Sequence, residues 1–460
     1  MGIEVVVLAA GKGTRMYSDL PKVLHPLAGK PMLSHVLDTA IGLSADRVHL
    51  VTGFQSHLIT QHYADTTYAP HLNWIEQTEQ LGTGHAVMQA ASHIADNSMV
   101  LVLYGDVPLI KTESLKQLLN TAEQAGIAVL TLVTPQPQGL GRMLRDGNGE
   151  IVAIVEEKDA SDEQRKITEI NTGIMAFRAD LLKTWLQQLT TNNAQGEYYL
   201  TDTVAIAHQQ NIRIGSLQTL DANEVQGVNN RLQLAELERA WQLAKARELA
   251  LNGVTVADPN RLDIRGELKV GRDVSVDINV IFEGNNTLGN RVSIGPNVVL
   301  INCVLGDDIV IHANSHLENV IIENGCQVGP FARLRTGTEL RAGAKIGNFV
   351  ETKKTIVGVG SKINHLSYVG DAELGESVNI GAGTITCNYD GVNKFRTTIG
   401  SGAFIGSNTA LVAPVTVGEN ATVGAGSVIT SNVPDKDLAV ARGIQRNISG
   451  WKRPVKIKTN

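Results

Sequence analysis

Hydrophobic and polar positions follow three successive rhythms along this chain. Up to about Arg231, short apolar runs alternate with amphipathic stretches. "VVVLAA" from Val5, "VHLVTG" near Val48, "MVLVLYGDVPLI" from Met99 and "IAVLTLVT" from Ile127 have strand length and little polar interruption, as buried strands require. Between them, "PMLSHVLDTAIGL" and "TESLKQLLNTAEQAG" place apolar residues at helical spacing. Strands alternating with helices predict a largely parallel sheet covered on both faces, with ligands bound beyond the carboxyl ends of its strands.

The second rhythm is "RLQLAELERAWQLAKARELALNG", rich in strong helix formers, free of proline and closed by Asn252-Gly253. It predicts one long connecting helix over 232–252, with Leu234, Leu237, Trp241 and Ala244 on a packing face. The third rhythm has a period of six: Val270, Val276, Phe282, Leu288, Ile294 and Leu300, and later Ile399, Ile405, Leu411, Val417, Val423 and Ile429. Such a period matches a hexapeptide parallel β-helix, each repeat one flat side of a triangular coil with its aliphatic residue inside. From Ile264 to Ile429 the repeats allow roughly nine coils, a prism roughly 40 Å long at ~4.8 Å per coil. The rhythm breaks at "TCNYDGVNKFRTT", Thr386 to Thr398, a loop expected to project from one edge. The expected domains are therefore 1–231, the linker helix 232–252 and 253–460.

Composition narrows the class. A chain of 460 residues predicts two or three domains, and a net charge of -6 argues against a broad nucleic-acid surface. Three cysteines, Cys303, Cys326 and Cys387, form no C-x-x-C pair, so neither a disulfide framework nor a thiolate zinc site is indicated. No window approaches eighteen uninterrupted apolar residues. The expectation is a cytoplasmic protein with small-molecule substrates and neither nucleic-acid nor membrane partners.

Candidate chemistry begins where the first strand ends, at "LAAGKGTRM". Gly11 and Gly13 serve either a tight turn or close approach of backbone N–H groups to phosphate, with Lys12 and Arg15 adding charge. The run lacks the Gly-Lys-Ser/Thr of a Walker loop and has Met16 where a dinucleotide fingerprint needs glycine. Asp106, after a buried apolar run, is either a helix cap or a magnesium ligand. In the solenoid, whose interior asks only for aliphatic and small residues, Lys353, His365, Tyr368, Asn379, Asn388 and Tyr389 cluster without a packing reason.

"LAAGKGTRM", "LPKVLH", "QLGTGHA", "YGDVPL", "NTG" and "GVNNR", followed by a solenoid containing "NIGAGTITCNYDG", together resemble one family along essentially the whole chain. These are the bifunctional bacterial N-acetylglucosamine-1-phosphate uridyltransferase/glucosamine-1-phosphate acetyltransferases. The resemblance implies an α/β protein: an N-terminal Rossmann-like nucleotidyltransferase domain, the connecting helix and a C-terminal left-handed parallel β-helix. It implies that Leu8, Ala9, Ala10 and Gly11 touch UTP, with Gly13, Arg15 and Lys22 completing the phosphate cradle. Gln77, Gly82 and Thr83 match uracil-recognition positions, the amide pairing bidentately with the base edge. Tyr104, Gly105, Gly141, Glu156 and Asn171 match nucleotide-sugar contacts, and Asp106 with Asn229 matches the Mg²⁺ pair. Glu157, beside Glu156, reads as a solvated surface charge.

For the solenoid, the family pattern makes His365 the catalytic base, with Arg335, Lys353, Tyr368 and Asn379 on the amino-sugar phosphate. Ala382, Asn388, Tyr389, Ser407, Ala425 and Arg442 match acetyl-CoA positions, Lys394 is a further candidate, and the basic "WKRPVKIK" tail is either a CoA or subunit contact or a solvated end. Similar solenoids form homotrimers with the acetyl-transfer site between prisms. Two other readings stand beside this one: a monofunctional sugar-1-phosphate nucleotidyltransferase with a regulatory solenoid, and a non-catalytic scaffold carrying a relic domain.

Overall fold

The computed structural model describes residues 1–456; Ile457 and Lys458 of the basic tail lie outside the described residues. The chain forms two compact units, Met1–Gln242 and the remainder from Leu243.

The first unit is built on one sheet. Its main strands are β1 (Gly2–Ala9), β2 (Arg47–Thr52), β3 (Leu72–Glu76), β4 (Ser98–Tyr104), β5 (Ile127–Val133), β6 (Glu169–Arg178) and β7 (Ile214–Thr219). They lie side by side in the order β7-β5-β6-β4-β1-β2-β3. All neighbours are parallel except β6, which runs against both β4 and β5. A hairpin of Arg142–Arg145 and Ile151–Val155 attaches to β6. Because both faces are covered, alternate residues of β1 feed different cores: Val5, Val7 and Ala9 one, Val6 and Leu8 the other. That double burial is why the strands read as unbroken apolar runs.

Parallel register brings the functional loops together. Ala9 lies opposite Thr52 and Leu8 opposite Tyr104, so the segments after β1, β2 and β4 emerge at one sheet edge. The expected helices occur at Met32–Gly42 and Thr112–Ala125.

The long helix spans Arg231–Leu251, and Gly253 follows it with φ +94°, a conformation glycine adopts without strain. Its first half belongs to the first unit. Leu237, 1% exposed, joins Met16, Leu27, Ala28, Met32 and Val228 in a third core, with Leu234 and Trp241 packed at its margin. Ala244 is exposed, so the expected apolar face ends at Trp241.

The second unit is a parallel β-helix. Among the described residues, eleven strands, from Thr255–Val256 to Leu438–Ala439, stack into one face, and the other fifteen form a second continuous sheet. Long strands such as Val280–Leu288 pair with two shorter ones, Val299–Ile301 and Val304–Leu305, and so carry the sheet around an edge. The hexad residues Val276, Phe282, Leu288, Ile294 and Leu300 are buried, as are Ile399 to Ile429; only Val270, near the open end, is half-buried. The stack extends one coil beyond the periodic stretch at each end because terminal coils pair through their backbones with few aliphatic hexads.

Each coil must turn sharply at its corners, and asparagine tolerates the left-handed backbone this needs. Asn279, Asn297 and Asn314 have φ near +58°, and the Asn279 amide donates to Asn297 Oδ1 at 2.9 Å, as Asn297 does to Asn314 at 3.1 Å. Successive coils are normally in register at 17 or 18 residues, whereas Asn379 pairs with Phe404. The extra chain is the Thr386–Thr398 loop, exposed from Tyr389 to Lys394.

Candidate active sites

A cleft of about 340 Å³ opens at the carboxyl edge of the sheet. Ten expected residues line it: Leu8, Ala9, Ala10, Gly11, Lys22, Gln77, Gly82, Thr83, Tyr104 and Asp106. Gly11 has a negative φ and nothing within 4 Å of where a side chain would point, so neither backbone conformation nor protein packing demands glycine there. Gly13 differs: its φ is +59° and a Cβ would sit 2.7 Å from Lys22 Cβ. Gly13 thus packs against the stem of Lys22, whose ammonium pairs with the Asp106 carboxylate.

Backbone bonds assemble the rest of this edge. Gly105 N–H donates to Leu8 O at 2.9 Å, and Val228 N–H donates to Asp106 O at 2.9 Å. Asn229 therefore lies beside Asp106 in spite of its distance in sequence. Its Oδ1 accepts from Arg15 at 3.0 Å, and its N–H donates to Gln233 at 2.7 Å. Both candidate metal-ligand oxygens already hold cations, Lys22 on Asp106 and Arg15 on Asn229. Gln77 departs from expectation. Its Nε2 donates to Gly82 O at 3.3 Å and to His85 Nδ1 at 3.0 Å, so both amide hydrogens are engaged and bidentate pairing with a base is not open to it.

Gly141, Glu156 and Asn171 form an adjoining group rather than part of the cleft wall. Asn171 N–H donates to Gly141 O at 2.8 Å, and a Cβ on Gly141 would lie 3.4 Å from the Glu156 carboxylate. Burial raises the Glu156 pKa; the Thr201 hydroxyl, donating at 3.0 Å, opposes this, and Asp202 and Asp159 add to it. Burial, then Glu156 and Asp106, raises the pKa of Tyr104, which stands between the two groups. Glu157 accepts from Arg142 Nη2 at 2.7 Å and from Gly139 N–H at 3.0 Å, so it anchors the hairpin where a merely solvated charge was expected.

In the solenoid, His365 is exposed at a corner and its Nδ1 lies 3.0 Å from Asn348 Oδ1. The two residues are register partners on successive coils. Since Oδ1 can only accept, Nδ1 carries the proton and Nε2 is left with a free lone pair. Arg335 pairs with Glu351 at 2.9 Å. The Lys394 ammonium beside Lys353 holds the latter's pKa below the usual lysine value, with Arg335 contributing and Asp371 opposing. Three cations thus converge, a natural seat for an anion. Tyr368 covers Gly370, and Asn379 lies between Lys362 and Phe404 in the neighbouring face.

The expected acetyl-CoA positions follow one edge. Asn408 N–H donates to Ala382 O, Gly426 N–H to Ser407 O and Arg442 Nη1 to Ala425 O, at 2.7, 2.8 and 2.6 Å, so successive coils stack these residues. Asn388 donates to Asp371 at the root of the projecting loop, while Tyr389 is exposed on it and bonds Gly391 O at 2.5 Å.

Comparison with known proteins decides the family. Residues 5–195 match the MobA-like NTP transferase domain, and residues 396–431 match the bacterial transferase hexapeptide, six repeats. The "Bifunctional protein GlmU" of Marinobacter nauticus is 55% identical over 454 residues, 99% of either chain. The chain belongs to the bifunctional GlmU family. A solved UDP-glucose pyrophosphorylase in complex with UDP-glucose is similar at 17% identity and a TM-score of 0.45, covering 52% of this chain and 98% of that one. As a member of the GlmU family, the chain is a bifunctional enzyme of UDP-N-acetylglucosamine synthesis. It acetylates glucosamine 1-phosphate with acetyl-CoA, then transfers UMP from UTP to N-acetylglucosamine 1-phosphate, releasing pyrophosphate.

Several neighbours of these candidate sites were not singled out from the sequence. Glu197 lines the cleft, arriving from a distant loop that carries no motif. Thr201, which holds Glu156, has no local signature either. Asn348 was detectable in principle, because it precedes His365 by one 17-residue coil.

Proposed function

We propose that uridylyl transfer takes place in the cleft at the carboxyl edge of the sheet and acetyl transfer at the His365 corner. The observation that carries this reading is the convergence of the β1 loop, Lys22, Gln77, Gly82-Thr83, Tyr104 and Asp106 on one cleft. The oxygens of Asp106 and Asn229 suit Mg²⁺, a hard cation that takes carboxylate and amide oxygen, and both face cationic charge here. Mg²⁺, when bound there, supplies charge neutralisation to the triphosphate. Lys22 and Arg15 add to it, and the open space at Gly11 lets phosphate oxygens approach the backbone. The sugar phosphate oxygen attacks the α-phosphorus and pyrophosphate leaves. The nucleophile is already ionised, so Lys22, Arg15 and the loop need only align and neutralise.

At the other site, the amine of glucosamine 1-phosphate attacks the thioester carbonyl, the C–S bond breaks and CoA leaves. His365 Nε2 takes the amine proton, and Asn348 holds the ring with Nε2 unprotonated. Arg335, Lys353 and Lys394 hold the sugar phosphate, with Tyr368 and Asn379 as further contacts. The stacked edge at Ala382, Ser407, Ala425 and Arg442, with Asn388 and Tyr389, receives acetyl-CoA.

We infer a cytoplasmic homotrimer: the hexapeptide solenoid and an exposed apolar row beside His365 support the assembly, and the substrates support the location. Among the described residues no helix is long and apolar enough to cross a membrane. A coupled assay with UTP, Mg²⁺, acetyl-CoA and glucosamine 1-phosphate tests the whole reading. Free CoA thiol and pyrophosphate should appear in equal amounts, and pyrophosphate should require acetyl-CoA. Asp106→Ala should abolish most pyrophosphate release and its Mg²⁺ dependence while CoA release continues. Equal loss of both products would overturn the assignment.

A further inference from the structure

His85 is absorbed by neither reaction, yet it lies half-buried against the wall of the cleft. Its Nδ1 receives the Gln77 amide at 3.0 Å, and its ring stacks on Tyr198 with centroids 6.2 Å apart. Tyr198 is itself fastened to the same turn: its N–H donates to Leu81 O and its carbonyl accepts from Gly84 N–H, both at 2.8 Å. The ring therefore has little freedom to swing away. On its far side, the Gln89 amide lies 3.2 Å from Nε2.

A neutral imidazole has one acceptor nitrogen and one N–H, so it cannot accept from two amides at once. Each amide has a second acceptor, Gly82 O for Gln77 and the His85 carbonyl for Gln89, but Gln77 is 3% exposed whereas Gln89 is half-buried on a helix surface. The buried amide takes the acceptor nitrogen. Nε2 then carries the proton, and the Gln89 amide keeps its donor bond to the His85 carbonyl oxygen at 3.1 Å rather than to the ring.

We propose that His85 is a positioning residue that sets the nucleobase specificity of the cleft by fixing the orientation of the Gln77 amide. This inference rests on the reading of Gln77 as the base-recognition residue. With both amide hydrogens held by His85 Nδ1 and Gly82 O, the group Gln77 has left for a ligand is its carbonyl oxygen. A fixed acceptor suits a pyrimidine whose N3 bears hydrogen, as in uracil. It opposes cytosine, whose N3 is a lone pair. Without His85 the amide can rotate about its terminal bond, present its NH₂ instead, and admit cytosine.

The test compares kcat and KM for UTP and CTP in the full-length enzyme, with acetyl transfer and thermal unfolding as controls on folding. His85→Leu removes the acceptor and should lower the UTP-over-CTP ratio of kcat/KM by about tenfold or more, the effect of one mismatched buried polar contact, chiefly through KM. His85→Asn keeps an acceptor near the Nδ1 position and should restore most of the ratio. His85→Gln places its polar end near the Nε2 position and should not restore it. The Asn-against-Gln contrast stands even where His85→Leu fails to fold. A folded His85→Leu enzyme with wild-type discrimination, or Asn and Gln variants that behave alike, would overturn the inference. Gln77→Leu separates the two levels. If it destroys discrimination while the His85 variants do not, only the positioning role fails. If it leaves discrimination intact, the base-recognition reading of Gln77 fails and this inference with it.

Discussion

At the residue scale, two side chains show how surroundings convert ordinary groups into specialised ones. His365 is exposed, and what distinguishes it is Asn348, which commits Nδ1 as a donor and leaves Nε2 as a base. His365→Ala should lower acetyl turnover by about 10²–10⁴-fold, the range for a positioned general base, with uridylyl transfer intact. A stable variant with near wild-type acetylation would sink the assignment. Glu156 illustrates the opposite case, a carboxylate held where burial disfavours its charge. Its pKa is raised on folding, so the folded state binds the proton more tightly than the unfolded chain. The penalty is absent below the ordinary glutamate pKa, grows as pH rises through the raised value and is constant above it. Glu156→Gln should therefore raise the melting temperature of the first unit at pH 7, by roughly 2–4 °C for each ~1 kcal/mol relieved. The gain should vanish near pH 4, while KM for the sugar phosphate rises. No pH dependence in the melting-temperature difference would remove burial as the cause.

At the element scale, the helix Arg231–Leu251 is where the sequence reading and the structure differ most usefully. Its existence, length and stop at Asn252-Gly253 were legible, because helix-forming residues and a terminal glycine act locally. Its allegiance was not. Leu237 closes a core with Met16, Leu27 and Met32, the Glu238 carboxylate accepts from Ala28 N–H at 2.6 Å, and Gln233 accepts from Asn229 N–H. The Leu237 and Glu238 contacts join residues some 200 positions apart, beyond the reach of any periodicity. A fragment ending at Arg231 should accordingly be unstable and poorly active, whereas one ending at Leu251 should retain uridylyl transfer from N-acetylglucosamine 1-phosphate. Equal activity of both fragments would show that the helix is a linker throughout, as its sequence alone suggests. The solenoid presents the reverse situation. Its interior was readable hexad by hexad because each coil repeats the same burial demand, as the buried series Ile399 to Ile429 confirms. The partners of its functional groups were harder to see, since Asn348 meets His365 only through coil stacking, and Lys394 meets Lys353 only because the projecting loop folds back. The same holds in the cleft: Leu8 to Gly11, Gln77 and Asp106 announce themselves in motifs, but Glu197 and Thr201 do not.

At the scale of the whole molecule, the candidate acetyl-transfer groups lie on an exposed corner rather than in a cavity. Phe331, Phe349 and Leu366 occupy equivalent corner positions on successive coils, 51%, 55% and 63% exposed, with the two phenylalanine rings stacked 5.4 Å apart. All three adopt positive φ, a costly conformation for large side chains, so the corner holds them outward at some expense. Leu366 adjoins His365, which puts the apolar row beside the candidate base. An exposed row of this kind gains most from burial against another copy of the chain, and burial there would also exclude water from the thioester. On the trimer reading, Phe349→Asp should put an unpaired charge into the interface and shift the enzyme from trimer to monomer. Acetyl transfer should fall with trimer content, while uridylyl transfer and the melting of the first unit stay unchanged. Light scattering for mass, with both turnovers measured on the same sample across a dilution series, reads all of this together. A monomeric Phe349→Asp enzyme with full acetyl transfer would mean that one prism holds a complete site. A variant that stays trimeric would place the interface on another edge of the solenoid.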